Sequence, residues 1–252
     1  MGTWICHLRI AEKMLIELPE LDEVAFAFGN LAPDSGLPNA DWTQFDPPKD
    51  VTHFLRPGEV NEGLIDDLRF YRQHLADLRP NHDRTRHSFA LGYFAHLLCD
   101  NLWARRIVGP SQHAYADLFA RRGENGWGDL KDDWYGLDQR FVRDQRDCLF
   151  WRVFLPAPNP PPYLPFIPEA ALHQRLDYIR KFYSQPDPAW VLDRPYPYLN
   201  EATMTRFVDD ATSAILEIYS NIEDGHELEG TALTRLAPAS IEPYPPPLGD
   251  EV

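Results

Sequence analysis

Residues 87–103, HSFALGYFAHLLCDNLW, decide the fold class of this chain. Drawn as a helix, the segment is apolar on nearly every side, which is typical of a helix buried inside a helical domain. We predict this core helix over residues 83–107. Within it, His96 and Asp100 are four residues apart, which places them about 40° apart around the axis and one turn along it. Both side chains can therefore bind one ion.

The pair of His96 and Asp100 has two interpretations. A carboxylate in an apolar helix is costly to bury unless it is paired or bound to a metal ion. A buried histidine with an aspartate four residues later is a common half of a zinc or iron site. Alternatively, Asp100 faces a crevice and hydrogen-bonds His96 as a polar pair of the core. His87 lies about 180° around the axis from His96, so we do not expect it to share the site.

The rest of the chain also repeats its apolar residues at helical spacing, and strict alternation is hard to find, so we predict an all-α, multi-helix domain. Thr3 and Asp22 are expected to cap the first two helices. Residues 1–224 form the predicted domain; residues 32–57 are a proline-rich loop, residues 155–168 a proline-rich extended segment and residues 225–252 an irregular tail. Besides the core helix, we predict helices over residues 3–18, 22–30, 61–78, 111–121, 129–153, 169–183 and 201–223.

Composition excludes some functions. The chain has 252 residues and a formal net charge of −15, which opposes binding to polynucleotides, so no nucleic-acid partner is expected. Three cysteines, Cys6, Cys99 and Cys148, are few and odd in number, as in a reducing compartment. The first residues do not resemble a signal peptide, and no stretch is long and apolar enough for a membrane span. We predict a cytoplasmic protein and leave its oligomeric state open.

Three further residues of ligand type occupy unusual contexts. His7 lies in the apolar first helix, Asp34 in GNLAPDSG (residues 29–36), and His53 in VTHF between prolines. Each has a simpler interpretation: His7 as a half-buried helix residue, Asp34 as the start of a turn, and His53 as a loop histidine on an aromatic patch.

Taken in order, these pieces resemble a known family. Trp4-x-x-His7 followed by IAE, then GNLAPDSG, then THF (residues 52–54), then LGYFAHLLCDNLW (residues 91–103) are similar to the zinc-dependent phospholipase C family. That family is related to single-strand nucleases that use three zinc ions. The resemblance implies a helical fold around the ions. It also implies one metal ion bound by Asp34, His53, His96 and Asp100, and a second ion bound by His7, with Asp100 as the bridging and catalytic carboxylate.

The chain departs from the pattern of the secreted members at two of their remaining ligands. Trp4 is internal here, so its nitrogen is not a free amino group, and Arg106 stands where a histidine is needed. We therefore predict that the chain binds one or two divalent ions and not three, and we expect these ions to be Zn²⁺. Arg105 and Arg106 either hold a substrate phosphate or stabilise the carboxyl end of the helix.

Acidic residues on a later helix offer substitute ligands. Asp129 and Asp133 are four residues apart, and Asp138 follows. A solvated acidic face is the favoured interpretation of these three residues. His113 is the one later histidine at a suitable spacing.

The predicted function is a metal-dependent hydrolase of phosphoester bonds, in which a shared carboxylate holds two ions that activate water and bind phosphoryl oxygens. The substrate is a phospholipid or a small phosphodiester or phosphomonoester. Motifs for a serine nucleophile, a P-loop or a dinucleotide are missing. The aromatic residues that could line a pocket are Trp42, Phe45, Phe54, Trp103, Trp127 and Trp134, although a role in the core is the default interpretation for most of them.

Two alternatives are kept. The first is a non-catalytic helical domain in which a closed metal site joins the segments together. The second is partner or self-association through the proline-rich segments, residues 156–168 and 243–247.

Overall fold

A computed structural model describes residues 1–41, 43–55, 65–222, 232 and 242–245 of the chain. Helices dominate in these ranges. The β-structure there is small: one antiparallel pair of two-residue strands, in which Leu37 faces Asp46 and Pro38 faces Phe45, and one bridge between Leu55 and Ile65. The predicted all-α, multi-helix class is confirmed.

The elements follow one another in a simple order. The α-helices and strands are α1 (Trp4–Glu17), α2 (Glu23–Gly29), β1 (Leu37–Pro38), β2 (Phe45–Asp46), α3 (Lys49–Thr52), α4 (Asp67–Phe70), α5 (Arg84–Trp103), α6 (Gly109–Ala114), α7 (Ala116–Arg122), α8 (Gly126–Asp144), α9 (Glu169–Ser184) and α10 (Glu201–Ile222). Short 3₁₀ turns cover Ala32–Asp34 and Gly123–Asn125, and wide π turns cover Tyr71–Leu75, Ala104–Val108 and Phe150–Phe154.

Helix α5 is the predicted core helix. Every residue from His87 to Trp103 is buried. Asp83 caps the helix by accepting a hydrogen bond from the Arg86 amide at 3.0 Å. The chain does not end its helical path at Trp103, because a π turn leads directly into α6. Arg106 lies in this turn and therefore does not stabilise a helix end.

Helices α2 and α5 cross at very short range. A β-carbon added at Gly29 would lie 2.1 Å from the Phe89 carbonyl oxygen, and one added at Gly92 would lie 2.3 Å from that of Phe26. Only a residue without a side chain permits such backbone approach. The two glycines thus set the distance between α2 and α5.

The caps of the first two helices differ. Asp22 caps α2 as predicted, accepting from the Ala25 amide at 3.0 Å. Thr3 occupies the capping position of α1, but its side chain makes no capping bond. Its hydroxyl donates to Asp138 instead, at 2.8 Å. The Thr3 side chain therefore ties α1 to α8.

The helix predicted over residues 61–78 is shorter in the structure. Residues 61–64 lie outside the described part, and α4 begins only after Asp66, which accepts from the Arg69 amide at 3.1 Å. The residue before it, Ile65, exchanges two hydrogen bonds with the Asn101 side chain, at 3.1 and 3.0 Å. These contacts with α5 hold the Ile65 backbone outside any helix.

Two other predicted helices are divided. The helix expected over residues 129–153 ends at Asp144 and is followed by a separate turn, Phe150–Phe154. The Trp151 indole donates to the Val142 carbonyl at 2.8 Å, which folds the chain back on the end of α8. The helix expected over residues 111–121 is split at Tyr115 into α6 and α7.

The proline-rich segment 155–168 contains no helix or strand, but it has turns at residues 155–156 and 165–166, so it is not extended throughout. The tail predicted over residues 225–252 lies mostly outside the described residues. Where it is described, the Tyr244 amide donates to the Arg106 carbonyl at 3.2 Å and the Ala232 amide to Asp67 at 2.7 Å. Among the described residues, we find no helix with the length and apolar character needed to cross a membrane.

Candidate metal centre and the cavity beside it

All five predicted metal ligands lie together in one cluster, called here the histidine–aspartate cluster. His7 comes from α1, Asp34 from the 3₁₀ turn after α2, His53 from the residue after α3, and His96 and Asp100 from α5. Four of the five side chains are essentially buried, and Asp34 is 12% exposed. The resemblance of the four sequence pieces thus corresponds to one place in the fold.

Distances within the cluster are longer than ordinary hydrogen bonds. Asp100 Oδ1 lies 3.4 Å from His7 Nε2, and Asp100 Oδ2 lies 3.3 Å from His96 Nε2 and 3.6 Å from His53 Nε2. His53 Nε2 also lies 3.6 Å from Asp34 Oδ1. Two ligands at zinc distances of about 2.0–2.1 Å in tetrahedral geometry are about 3.3 Å apart. These spacings therefore suit atoms that share an ion.

Several polar atoms of the cluster have no hydrogen-bond partner among the described residues. Within the described part of the chain, Nε2 of His7, His53 and His96 and Oδ2 of Asp100 are buried without a hydrogen-bond partner. Buried polar atoms without partners are rare because each costs free energy. An ion would use these atoms.

The tautomer of His96 is set from outside the cluster. Its Nδ1 lies 2.7 Å from the Asn30 carbonyl oxygen. Because a carbonyl only accepts, Nδ1 carries the proton and Nε2 presents its lone pair to the cluster. His53 Nδ1 lies 3.1 Å from the Thr52 hydroxyl, which leaves Nε2 on the cluster side too.

The carboxylates are also oriented by neighbours. The Gly2 amide donates to Asp100 Oδ1 at 2.7 Å, and the Trp4 indole donates to Asp34 Oδ2 at 2.7 Å. Asn30, Gly2 and Trp4 are supporting residues that the sequence analysis did not assign. Asn30 and Trp4 lie in the motifs quoted above, but their hydrogen bonds depend on contacts between segments distant in sequence.

The charges of the cluster are set by burial and by mutual attraction. Burial lowers the pKa of His53 to about 3 and also lowers that of His7. Burial opposes ionisation of Asp34, but His96 and His53 outweigh it and bring its pKa to about 2. At neutral pH the cluster therefore offers an ionised Asp34 and neutral His7 and His53.

His96 and Asp100 influence each other most strongly. Burial opposes the charge of both, but Asp100 raises the pKa of His96, and His96 holds the pKa of Asp100 well below its usual range. In the absence of an ion, Asp100 is thus ionised and His96 retains a proton more readily than a free imidazole does.

Two groups of three ligands can each hold an ion. They are His7 with His96 and Asp100, and Asp34 with His53 and His96. His96 Nε2 has one lone pair, so it serves one ion only. The two oxygens of Asp100 face different histidines, His7 on one side and His53 with His96 on the other. This arrangement suits the predicted bridging role of Asp100.

The acidic residues of α8 lie outside the cluster. Asp133 accepts from Arg194 at 2.6 Å and from the Tyr198 amide at 2.7 Å, and Asp129 pairs with Arg122 at 3.0 Å. A cavity of about 520 Å³ runs along Asp129 and Asp133, and none of the five predicted ligands lines it. These acids are not positioned as ligands of the cluster.

Asp138 is buried as well. It accepts from the Thr3 hydroxyl at 2.8 Å, the Tyr183 hydroxyl at 2.6 Å and the Ile5 amide at 3.4 Å. Burial raises the pKa of Asp138 to about 7, although these hydrogen bonds lower it. The interpretation of α8 as a solvated acidic face is therefore wrong for Asp133 and Asp138, because both are buried with partners from other segments.

The remaining candidates also lie elsewhere. Arg106 is buried and bonds to Asp210 at 2.9 Å and to the Tyr244 hydroxyl, so it is not placed to hold a substrate phosphate. Arg105 and His113 are exposed, and neither belongs to the cluster. His87 is likewise outside it, as expected.

A cavity of about 640 Å³ reaches the cluster at Asp34 and Gly2. Of the six aromatic residues expected at a pocket, Phe45, Trp127 and Trp134 line it, together with Trp4 and Tyr135. Phe54 packs instead against Phe70, Trp103 is fully buried, and Trp42 lies outside the described residues.

Comparison of the chain with family models, curated proteins and solved structures gives no significant match. The resemblance to the zinc-dependent phospholipase C family therefore stays a prediction from the sequence.

Proposed function

We propose that this chain is a metal-dependent hydrolase of phosphoester bonds, with one or two divalent ions held by the histidine–aspartate cluster. One observation carries the proposal: buried donor atoms without partners, at ligand spacing, lie beside a cavity that a small molecule can enter. The cavity meets the cluster at Asp34, the member whose side chain is partly exposed.

The donor set fits zinc. Three imidazole nitrogens and two carboxylates are ligands that Zn²⁺ prefers, and the free energy lost by their burial is recovered on coordination. When bound in such a set, zinc supplies Lewis-acid polarisation of a phosphoryl group and a water molecule of lowered pKa. No protein nucleophile is then needed.

The chain's own residues hold this set in place. Asn30 keeps the proton of His96 on the outer nitrogen, while Gly2 and Trp4 orient Asp100 and Asp34. Asp100 is the proposed catalytic carboxylate, because its two oxygens face two different parts of the cluster and both would be available to bound metal.

A structural metal site is the second candidate. Its support is the depth of burial, since His53, His96 and Asp100 are each about 1% exposed or less at the side chain. A closed four-ligand site would stabilise the contact between α5 and the preceding loops without catalysis. The cavity at Asp34 favours the hydrolase.

The charge of the chain restricts the substrate. A net charge of −15 opposes approach to a polynucleotide or an anionic membrane surface. We therefore propose a small phosphoester ahead of a phospholipid, in a protein of the cytoplasm.

Metal analysis of the purified protein, followed by hydrolysis of chromogenic phosphomonoesters and phosphodiesters, tests the proposal. We expect His96→Ala to lose metal and activity. His87→Ala, a buried histidine of the same helix, is the matched control and should keep both. Full metal content with no hydrolysis in the wild type would favour the structural site.

His7 tests the number of ions. If the wild type holds two ions, His7→Ala should reduce the metal content to one equivalent, because His7 faces the Oδ1 side of Asp100. Unchanged metal content and unchanged hydrolysis would remove the second ion from the proposal.

A further inference from the structure

The cavity beside the cluster collects positive charge in an acidic protein. The lysines of the chain are Lys13, Lys49, Lys131 and Lys181. Lys49 and Lys131 both line this cavity, and Arg175 lines it with them. Asp34 and Glu124 are the acids of the same wall, and Asp34 belongs to the cluster. Once an ion offsets Asp34, the wall is left with a clear excess of positive charge.

These cations come from three separate elements. Lys49 is the first residue of α3, Lys131 lies in α8 and Arg175 in α9. Partial burial lowers the pKa of Lys131, and the charge of Lys49 lowers it further. Lys49 also acts on Asp34 and His53. The positive charges thus line the cavity that reaches the cluster at Asp34.

Aromatic rings line the same cavity as these cations. Arg175 lies over the rings of Trp4 and Phe45 at 5.8 Å each, and Lys49 lies 5.7 Å from the Phe45 ring. Trp127 and Tyr135 are partly buried and line the same space. Cations next to aromatic rings can bind an anionic group and a flat ring together.

We infer that this cavity binds the dianionic phosphate of a small phosphomonoester whose alcohol carries a planar ring, with Lys49, Lys131 and Arg175 around the phosphate and the aromatic wall against the ring. The inference rests on the proposed function and names its substrate class. A phosphodiester has one negative charge and gains less from the three cations.

Calorimetric titration with phenylphosphonate, a non-hydrolysable phosphonate with a ring, tests this on the protein as purified with its metal, at an alkaline pH where phosphonates are dianions. Lys49→Met and Lys131→Met should each raise the dissociation constant about tenfold, since each removes one charge contact. Lys181→Met, which removes a lysine outside the cavity, should leave it unchanged. Methylphosphonate, which lacks the ring, should bind more weakly than phenylphosphonate.

Hydrolysis gives a second readout. The two cavity substitutions should lower kcat/KM for para-nitrophenyl phosphate more than for bis(para-nitrophenyl) phosphate. Equal effects of Lys49→Met, Lys131→Met and Lys181→Met on phenylphosphonate binding would overturn the anion site. Equal affinity for the two phosphonates would overturn the role of the ring.

These experiments distinguish a failure of the proposed hydrolase from a failure of the proposed anion site. Lysine-dependent binding of phenylphosphonate without hydrolysis of any phosphoester would leave the anion site and remove the hydrolase. Hydrolysis that is insensitive to Lys49→Met and Lys131→Met would leave the hydrolase and remove the anion site.

Discussion

The buried acids of α5 and α8 look alike in sequence and differ in what surrounds them. Asp133 and Asp138 of α8 have their oxygens occupied by hydrogen bonds from Arg194, Thr3 and Tyr183. Asp100 of α5 faces three histidines at longer distances, and its Oδ2 has no hydrogen-bond partner among the described residues. A buried carboxylate whose oxygens all accept hydrogen bonds stabilises the fold. A buried carboxylate with an oxygen that accepts none indicates a site for a ligand.

Removal of metal should give the largest effect, a loss of stability that comes from the cluster around Asp100 and not from the acidic residues of α8. Chelation leaves the ionised carboxylates of Asp34 and Asp100 largely buried without a metal ion, so we expect the melting temperature to fall by about 10 °C. Differential scanning calorimetry with and without chelator measures this. Asp133→Asn should keep the metal content and the same response to chelator. Superimposed melting curves, for a sample shown to have lost its metal, would contradict the prediction.

Asp138 should give a pH dependence of its own. Its pKa is raised to about 7 in the folded state, above that of an unfolded aspartate, so the folded protein binds the proton more tightly. Stability from this group is greatest below pH 4 and is lost as the pH rises to about 7, on the order of a few kcal/mol.

Urea unfolding at several pH values between about 5 and 7.5 measures the effect. Asp138→Asn, which cannot ionise, should flatten the slope relative to the wild type. Parallel slopes in the two proteins would show that Asp138 keeps the same pKa when unfolded.

A smaller effect concerns the affinity of the cluster for metal. Since Asp100 raises the pKa of His96, a proton competes with the ion for His96 Nε2. Zinc affinity should therefore fall as the pH falls, by about tenfold per pH unit below the pKa of His96. Competition with a chromogenic chelator across this range measures it. An affinity independent of pH would mean that His96 is not a ligand.

Much of the candidate site follows from local sequence. Helix α5 is recognisable because it is apolar on all sides, and its spacing alone places Asp100 one turn after His96. The convergence of His7, Asp34 and His53 on this pair is not visible from any one segment. It was predicted only through the order of the four pieces in the resemblance.

Other features depend on contacts that the sequence does not display. Ile65 is held out of a helix by Asn101, and Asp138 is buried by Thr3 and Tyr183, residues far away in the chain. Helical periodicity describes which face of a segment is apolar, but it does not identify the partner that covers a polar residue.

The close crossing of α2 and α5 also affects which nitrogen of His96 is protonated. A β-carbon at Gly92 would come within 3.0 Å of the Asn30 amide nitrogen, so any larger residue there would displace Asn30. The Asn30 carbonyl is what fixes the proton of His96 on Nδ1. An imidazole released from it can turn its protonated nitrogen inward and lose its value as a ligand. A position without a side chain thus determines which nitrogen of His96 carries hydrogen.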